Sequence, residues 1–260
     1  MTESSGYARL FDLTGRRAVV IGGGGGIGRE VALGLAAFGA SVTVADLSGD
    51  AARDTAAAIG SDATGIGLDV LDETALAALA GAPVDVAITT VGVNVRKRLA
   101  DLTDADYDRV LDTNLRGVFR AIRAFAPGMA ERGTGSVVAF ASIRAQTVEP
   151  GQGLYAATKA GLIQLLRTAA AEYGPAGVRF NAIAPGVVAT PLTAPIRADE
   201  RWERAYATKS ALQRWAAPSE MVGAAVFLAS DASSYVTGSV LTVDGGWTAV
   251  DGRFDPFAPR

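Results

Sequence analysis

Residues 17–28 read Arg17-Ala-Val-Val-Ile21-Gly22-Gly-Gly-Gly-Gly26-Ile27-Gly28, an apolar, β-branched run that breaks into five consecutive glycines. The first five residues have the composition of a strand buried on both faces. Residues 26–39 behind them carry a helical pattern. A floppy joint is a poor account of the glycines, because five in a row are entropically costly between a buried strand and a helix. A turn that closes on a phosphate explains them better. Glycine lets backbone approach a pyrophosphate, and the start of the following helix offers free N–H groups and the positive end of its dipole. Two spacings fit the run: Gly23, Gly25 and Gly28 satisfy G-x-G-x-x-G, while Gly22, Gly26 and Gly28 satisfy G-x-x-x-G-x-G.

Outward from this turn the pattern repeats. Short apolar runs at 17–21, 41–45, 64–68, 84–89, 136–141, 178–183 and 239–243 read as strands. Ala-rich stretches near 26–39, 50–59, 72–80, 104–132, 154–173 and 219–229 read as helices between them. Such alternation predicts a single-domain α/β fold over 1–260, a doubly wound, parallel, seven-stranded sheet of Rossmann type with helices on both faces. Residues 191–218 lack a strand and carry Trp202, Trp215 and many charges, so they are expected to form a helical lid.

Composition removes whole classes of chemistry. The 260 residues include no Cys and no His, which excludes disulfides, thiolate catalysis, a Ser-His-Asp triad and His- or Cys-based metal sites. No metal is expected. A net charge of −3 argues against nucleic acid or an anionic membrane as partner. Residues 1–13 show no apolar targeting segment, and the uncharged stretch 31–45 is too short to span a bilayer. A cytoplasmic setting is the expectation.

Asp46 ends the second apolar run. A carboxylate there accepts hydrogen bonds from adenosine ribose hydroxyls and repels a 2′-phosphate; the plainer alternative is a helix cap or turn residue. No Arg or Lys lies within 22–28 or directly after Asp46, which favours NAD over NADP. Further along, Tyr155 and Lys159 stand four apart in an apolar helical stretch and share one helix face. A core tyrosine beside a snorkelling lysine is the ordinary meaning of such a pair. Without His, however, it is the best proton-transfer pair in the chain, since a nearby ammonium lowers a phenol that otherwise titrates near pH 10.

Taken with these motifs, the whole chain resembles the short-chain dehydrogenase/reductase family, whose Y-x-x-x-K appears as Tyr155-Ala-Ala-Thr-Lys159. The resemblance implies that Tyr155 is the acid/base, that Ser142 polarises the substrate oxygen, and that Lys159 lowers the Tyr pKa and binds the nicotinamide ribose. Asn114, odd on the apolar stripe Val110–Asn114–Val118–Ile122, would hold a water in a proton relay. Cofactor contacts are implied at Gly22, Gly24, Gly25, Gly26, Ile27 and Gly28 of the turn, at Asp46 and Leu47, and at Asp69 and Val70 beside the adenine. They are also implied at Thr90, Val91 and Gly92, at Tyr155 and Lys159, and at Pro185, Gly186, Val188 and Thr190 beside the carboxamide. Two positions depart from the family pattern. Ile21 stands where Thr is common, and Thr89-Thr90-Val91-Gly92 replaces N-N-A-G, so Thr90 lacks an amide's paired donor and acceptor.

The expected activity is hydride transfer between NAD and a small secondary alcohol or ketone: a polyol, sugar or sugar acid. Substrate contacts are expected from Ser142, Arg144, Gln152 and Tyr155, with Glu149 and Gln146 adding to a polar loop. Trp202 or Trp215 closes over the site or simply packs the lid. Arg96, Lys97 and Arg98 read as a solvated or subunit-contact loop, the alternative being recognition of an anionic substrate. An NADPH-dependent 3-oxoacyl-[acyl-carrier-protein] reductase shares all these motifs, but Asp46 opposes it. A cofactor-sensing regulator is a reading of another class, opposed by the acid/base pair. The family implies a homotetramer with 104–132 and 154–173 pairing between subunits.

Overall fold

Each apolar run supplies side chains to both faces of one sheet, and this is what makes the strands parallel and central. The computed structural model describes residues 4–252. The strands are β1 Arg17–Ile21, β2 Ser41–Asp46, β3 Ala63–Gly67, β4 Val86–Thr89, β5 Gly135–Phe140, β6 Val178–Pro185 and β7 Val240–Val243. They lie in the order β3-β2-β1-β4-β5-β6-β7, every neighbouring pair parallel. The chain runs outward from β1 to β3, then returns to start again at β4 beside β1. This reversal opens a crevice at the carboxyl ends of β1 and β4, where open α/β sheets bind ligands.

After α1 Ser4–Ala8, the main helices are α2 Gly26–Ala37, α3 Gly49–Ile59, α4 Glu73–Ala80, α5 Asp104–Leu111, α6 Gly117–Glu131 and α7 Gly153–Tyr173. Two short helices, α8 Ala194–Arg197 and α9 Glu200–Ala207, precede α10 Val222–Ala229. Strand residues alternate between two cores. Val19 and Ile21 of β1 join α4, α6 and α7 on one face, while Ala18 and Val20 join α2, α3 and α10 on the other. A third, smaller apolar cluster of Ile143, Val187, Ile196, Tyr206 and Trp247 lies under α8 and α9, with Trp202 and Trp215 packed against it.

The predicted elements are all present, with local differences. The expected helix over 104–132 is broken between α5 and α6 by a wider, π-helical turn, Asp112–Arg116, which carries the fully buried Asn114. Its start is fixed by Thr103, whose hydroxyl and the Asp106 carboxylate cap each other's backbone N–H. The helix expected at 219–229 opens as a tight turn, Pro218–Met221, before α10. The extent 1–260 and the expectation for 1–13 lie partly outside the described residues.

The glycine turn settles which spacing matters. Gly22 and Gly26 have φ of +85° and +51°, a region that L-residues rarely adopt. At Gly28 an added Cβ would collide with the Gly22 carbonyl and stand 2.6 Å from the Thr90 hydroxyl. Gly25 is different: it is extended, and nothing lies within 4 Å of its missing Cβ. All three glycines of G-x-x-x-G-x-G are therefore demanding, by φ or by contact, whereas G-x-G-x-x-G includes the unconstrained Gly25; Gly23 is also tight, its added Cβ falling 2.7 Å from Val44. Gly28→Ala is expected to cost about 2–3 kcal/mol, because backbone cannot yield as a flexible side chain can. Urea unfolding measures it, with Gly25→Ala, expected to cost under about 1 kcal/mol, as the control.

Candidate active site

The turn is braced from two sides. The Thr90 hydroxyl, at the end of β4, donates to the carbonyls of Ile21 and Gly22 at 3.1 and 2.9 Å. Asp46, at the end of β2, accepts from the Gly24 N–H at 2.9 Å through Oδ2 and from the Ser48 N–H at 3.0 Å through Oδ1. Asp46 thus plays the turn role of the plainer reading, and its half-buried carboxylate lies at the glycine loop. Leu47 beside it is exposed. Asp69 is exposed too and accepts from the Leu71 N–H. The Val70 side chain turns away into the core against Gly117.

Beyond β4, Val91 and Gly92 border the buried end of Lys159. That amine donates to the Phe140 carbonyl at 2.7 Å and lies 3.4 Å from the Val91 carbonyl. It stands 5.7 Å from the centre of the Tyr155 ring, confirming that the two share one face of α7. Asn114 reaches the same region from the π turn. Its amide clamps Val93, accepting from the N–H at 2.8 Å and donating to the C=O at 2.9 Å, and it also contacts the Thr158 hydroxyl at 3.2 Å. A tight helix would not bring this side chain to Val93, which is what the wider turn achieves.

The electrostatics differ from the sequence reading. Burial pushes the Tyr155 phenol up, opposed first by the Ser142 hydroxyl beside it and then by the guanidiniums of Arg144 and Arg96. Lys159 is not what offsets it, because burial lowers the lysine itself to about 8. Considering the pair alone gave the Coulombic attraction and omitted the desolvation of both partners.

Ser142 and Tyr155 open onto a cavity of about 310 Å³, with Gly186 and Val187 at its base. One wall is polar: Asn94, Arg96, Arg144 and Gln152. The other is apolar and comes from 191–218: Leu192, Pro195, Ile196 and Trp202. Arg144 is buried and donates to Glu149 Oε2 at 2.7 Å. The same oxygen accepts from Gln152 Nε2 and from the Tyr206 hydroxyl. The Arg96 guanidinium lies over the Trp202 ring, 5.0 Å from its centre. This corrects the solvated-loop reading for one of three residues: Arg96 enters the cavity, while Lys97 pairs with Asp106 at 2.7 Å outside it.

Residues 22–248 match the family described as enoyl-(acyl carrier protein) reductase. The chain belongs to the short-chain dehydrogenase/reductase family. It is 37% identical over 248 residues to gluconate 5-dehydrogenase of Gluconobacter oxydans, covering 92% of this chain and 97% of that one. It is 38% identical over 250 residues to galactitol 2-dehydrogenase (L-tagatose-forming) of Cereibacter sphaeroides, covering 93% and 98%. A gluconate 5-dehydrogenase from Burkholderia cenocepacia, solved with NADP and tartrate, superposes with a TM-score of 0.90 at 31% identity over 94% of this chain and 99% of that one.

As a short-chain dehydrogenase/reductase, the chain is an oxidoreductase acting on alcohols with a nicotinamide cofactor. The glycine turn fits such a group: Gly25 leaves open space at the N-terminus of α2, and a Cβ added at Gly26 would lie 3.5 Å from the Thr190 side chain. Behind Thr190, the Thr193 hydroxyl donates to the Val188 carbonyl at 2.7 Å, and Pro185 and Val188 are buried. No described helix is long and apolar enough to cross a membrane. Asn94 and Tyr206 line the cavity without having been singled out in the sequence, and Trp247 packs against Arg144 behind it. Each reaches its place by tertiary packing that leaves no local pattern.

The buried lysine has a pH signature. Its unfolded value is 10.5, so below pH 8 both states carry the proton and the fold bears the desolvation of the ammonium. Between about 8 and 10.5 only the folded state loses it, so stability from this group rises with pH. Lys159→Met is therefore expected to be more stable than the parent at pH 7, by about 1–2 kcal/mol. The gap should narrow as pH rises through 8 to 10, measured by urea unfolding; a gap indifferent to pH counts against a charged Lys159.

Proposed function

We propose that the chain is an NAD-dependent dehydrogenase of a small polyhydroxylated secondary alcohol, a polyol or a sugar acid. One observation carries this reading. The hydroxyls of Ser142 and Tyr155 open on a cavity whose polar wall includes Asn94, with Oδ1 buried and without a partner among the described residues. The lining joins this amide, the Gln152 amide that accepts a 2.9 Å bond from Asn94 Nδ2, and two guanidiniums, a polar set that suits a substrate bearing hydroxyls next to the reacting one. The relatives named for gluconate and galactitol support the same class.

The nicotinamide, when bound, supplies the hydride acceptor. Tyr155 moves the proton at the alcohol oxygen, and Ser142 holds that oxygen by a hydrogen bond. Lys159, fixed on the Phe140 carbonyl, keeps its charge at the Tyr155 ring as phenolate develops and faces the ribose. Asn114 sets the Val93 backbone that forms the mouth of the site; its place in a proton relay is part of the same reading. Arg144 holds the polar wall through Glu149. Residues 191–218 act as the lid, since they supply the apolar wall.

NAD is favoured by Asp46, whose carboxylate opposes a 2′-phosphate at the turn. A second reading, an NADPH-dependent reductase of a carrier-bound 3-oxoacyl group, draws on the NADP held by the Burkholderia relative. The polar wall is a poor surface for an acyl chain. A homotetramer fits the exposed Tyr107 and Phe119 and the shallow apolar depression between Leu111, Leu115, Phe119 and Leu165 on α5–α7. A cytoplasmic setting fits the absence of Cys.

A screen of NAD and NADP over polyols, sugar acids and acyl thioesters tests the reading. Oxidation with NAD is expected, and Tyr155→Phe should lose about 10³-fold or more of the rate. Full turnover by the Phe variant would sink the mechanism. Asp46→Ala should shift the kcat/KM ratio towards NADP by about tenfold or more, the loss of one repelled charge; a wild type that prefers NADP overturns the cofactor assignment.

A further inference from the structure

The charged groups of the cavity are unequally engaged. Arg144 is buried, its guanidinium 2.7 Å from Glu149 Oε2 and 3.4 Å from the Tyr206 hydroxyl, with the Tyr206 and Trp247 rings at 5.9 and 5.6 Å. It is a filled position. Arg96 also faces Glu149, but at 3.7 Å through Oε1, and this is its only polar partner among the described residues. Its remaining N–H donors are open, and its stem is held flat by Trp202. Glu149 itself sits behind the lining with its side chain 19% exposed, its Oε2 shared by Arg144, Gln152 and Tyr206. Two guanidiniums and one carboxylate leave one positive charge, and geometry places it on Arg96.

We propose that Glu149 determines substrate charge: by cancelling Arg144 it leaves Arg96 as a single receptor for one carboxylate, so the site selects a monoanionic hydroxy acid over a neutral polyol and over a diacid. This rests on the dehydrogenase reading above and narrows its substrate class. A second carboxylate would meet the lone carboxylate of Glu149 without a free cation, and a neutral polyol would offer Arg96 only uncharged hydroxyl acceptors, weaker partners for a guanidinium than a carboxylate. Glu149 touches neither substrate nor cofactor in this scheme. It is a positioning residue that works through the two arginines and, by way of Tyr206, fixes α9 over the cavity.

The test is kcat/KM for sorbitol, gluconate and glucarate, with the preferred nicotinamide cofactor at saturation. The wild type is expected to favour gluconate. Glu149→Gln, which frees a second positive charge, should raise the glucarate-to-gluconate ratio by about tenfold, and Arg144→Gln should raise the sorbitol-to-gluconate ratio by a similar factor. The double variant restores one net charge and should restore the gluconate preference. If Glu149→Gln does not fold, Arg144→Gln and the double variant carry the test. Ratios that stay fixed while all three rates fall together mean that Glu149 is only scaffold, which overturns the proposal and leaves the dehydrogenase reading standing. A wild type that favours sorbitol, with Arg96→Gln changing nothing, overturns the acid selectivity itself. A wild type that oxidises no alcohol with either cofactor overturns the reading beneath it.

Discussion

The closest constraint in the molecule is the approach of α2 to the end of β1. Gly28 rests against the Gly22 carbonyl with no room for a methyl group, and the Thr90 hydroxyl ties that carbonyl to β4. Once this contact is made, little is left free. The N-terminus of α2 must point at the crevice between β1 and β4, Asp46 must meet Gly24, and β4 must end level with β1. The loop that leaves β4 is then delivered beside β5 and α7. A cofactor cradle and a proton-transfer site become neighbours through a single backbone packing requirement.

Legibility in the sequence followed the range of the interactions. Strands and helices were readable because apolar periodicity is local, and the two cores need nothing else. Tyr155 and Lys159 were readable because four residues make one helical turn. The choice between the two glycine spacings was not, since it depends on which residues take positive φ and which meet Val20, Val44 or Gly22 in space. The break in 104–132 was hinted at by Asn114 on an apolar stripe. What that Asn does became visible only when Val93, 21 residues earlier, was found in its grip. Glu149 and Tyr206 are 57 residues apart and meet only because α9 folds back over the cavity. No period or motif encodes such a contact.

The lysine shows why a pair cannot be judged by its mutual attraction alone. In water, an ammonium near a phenol favours phenolate. In this core, burial raises the phenol and lowers the amine, so both neutral forms gain. The Phe140 and Val91 carbonyls then matter as much as the ring, because they are what a charged amine has in place of water. A site of this kind keeps the phenol neutral until a ligand arrives, while the amine still carries its proton below pH 8 and stands ready to stabilise phenolate, which suits a reaction in which charge is created and removed within one turnover.

The cavity follows the same logic with different groups. Its polar wall is built by a carboxylate that is hydrogen-bonded to nearly everything it can reach, and such a network is stable only when almost fully satisfied. The outer donors of Arg96 keep capacity, and the facing wall of Leu192, Pro195, Ile196 and Trp202 offers them no side-chain oxygen or nitrogen acceptor. Complementarity therefore has to come from the ligand. A molecule that completes the network must accept from the guanidinium and hydrogen-bond the hydroxyls of Ser142 and Tyr155, with a carbon framework compact enough to lie against the lid. A hydroxy acid does both with adjacent groups, which is why the pocket's unsatisfied chemistry, more than its size, defines what it can hold.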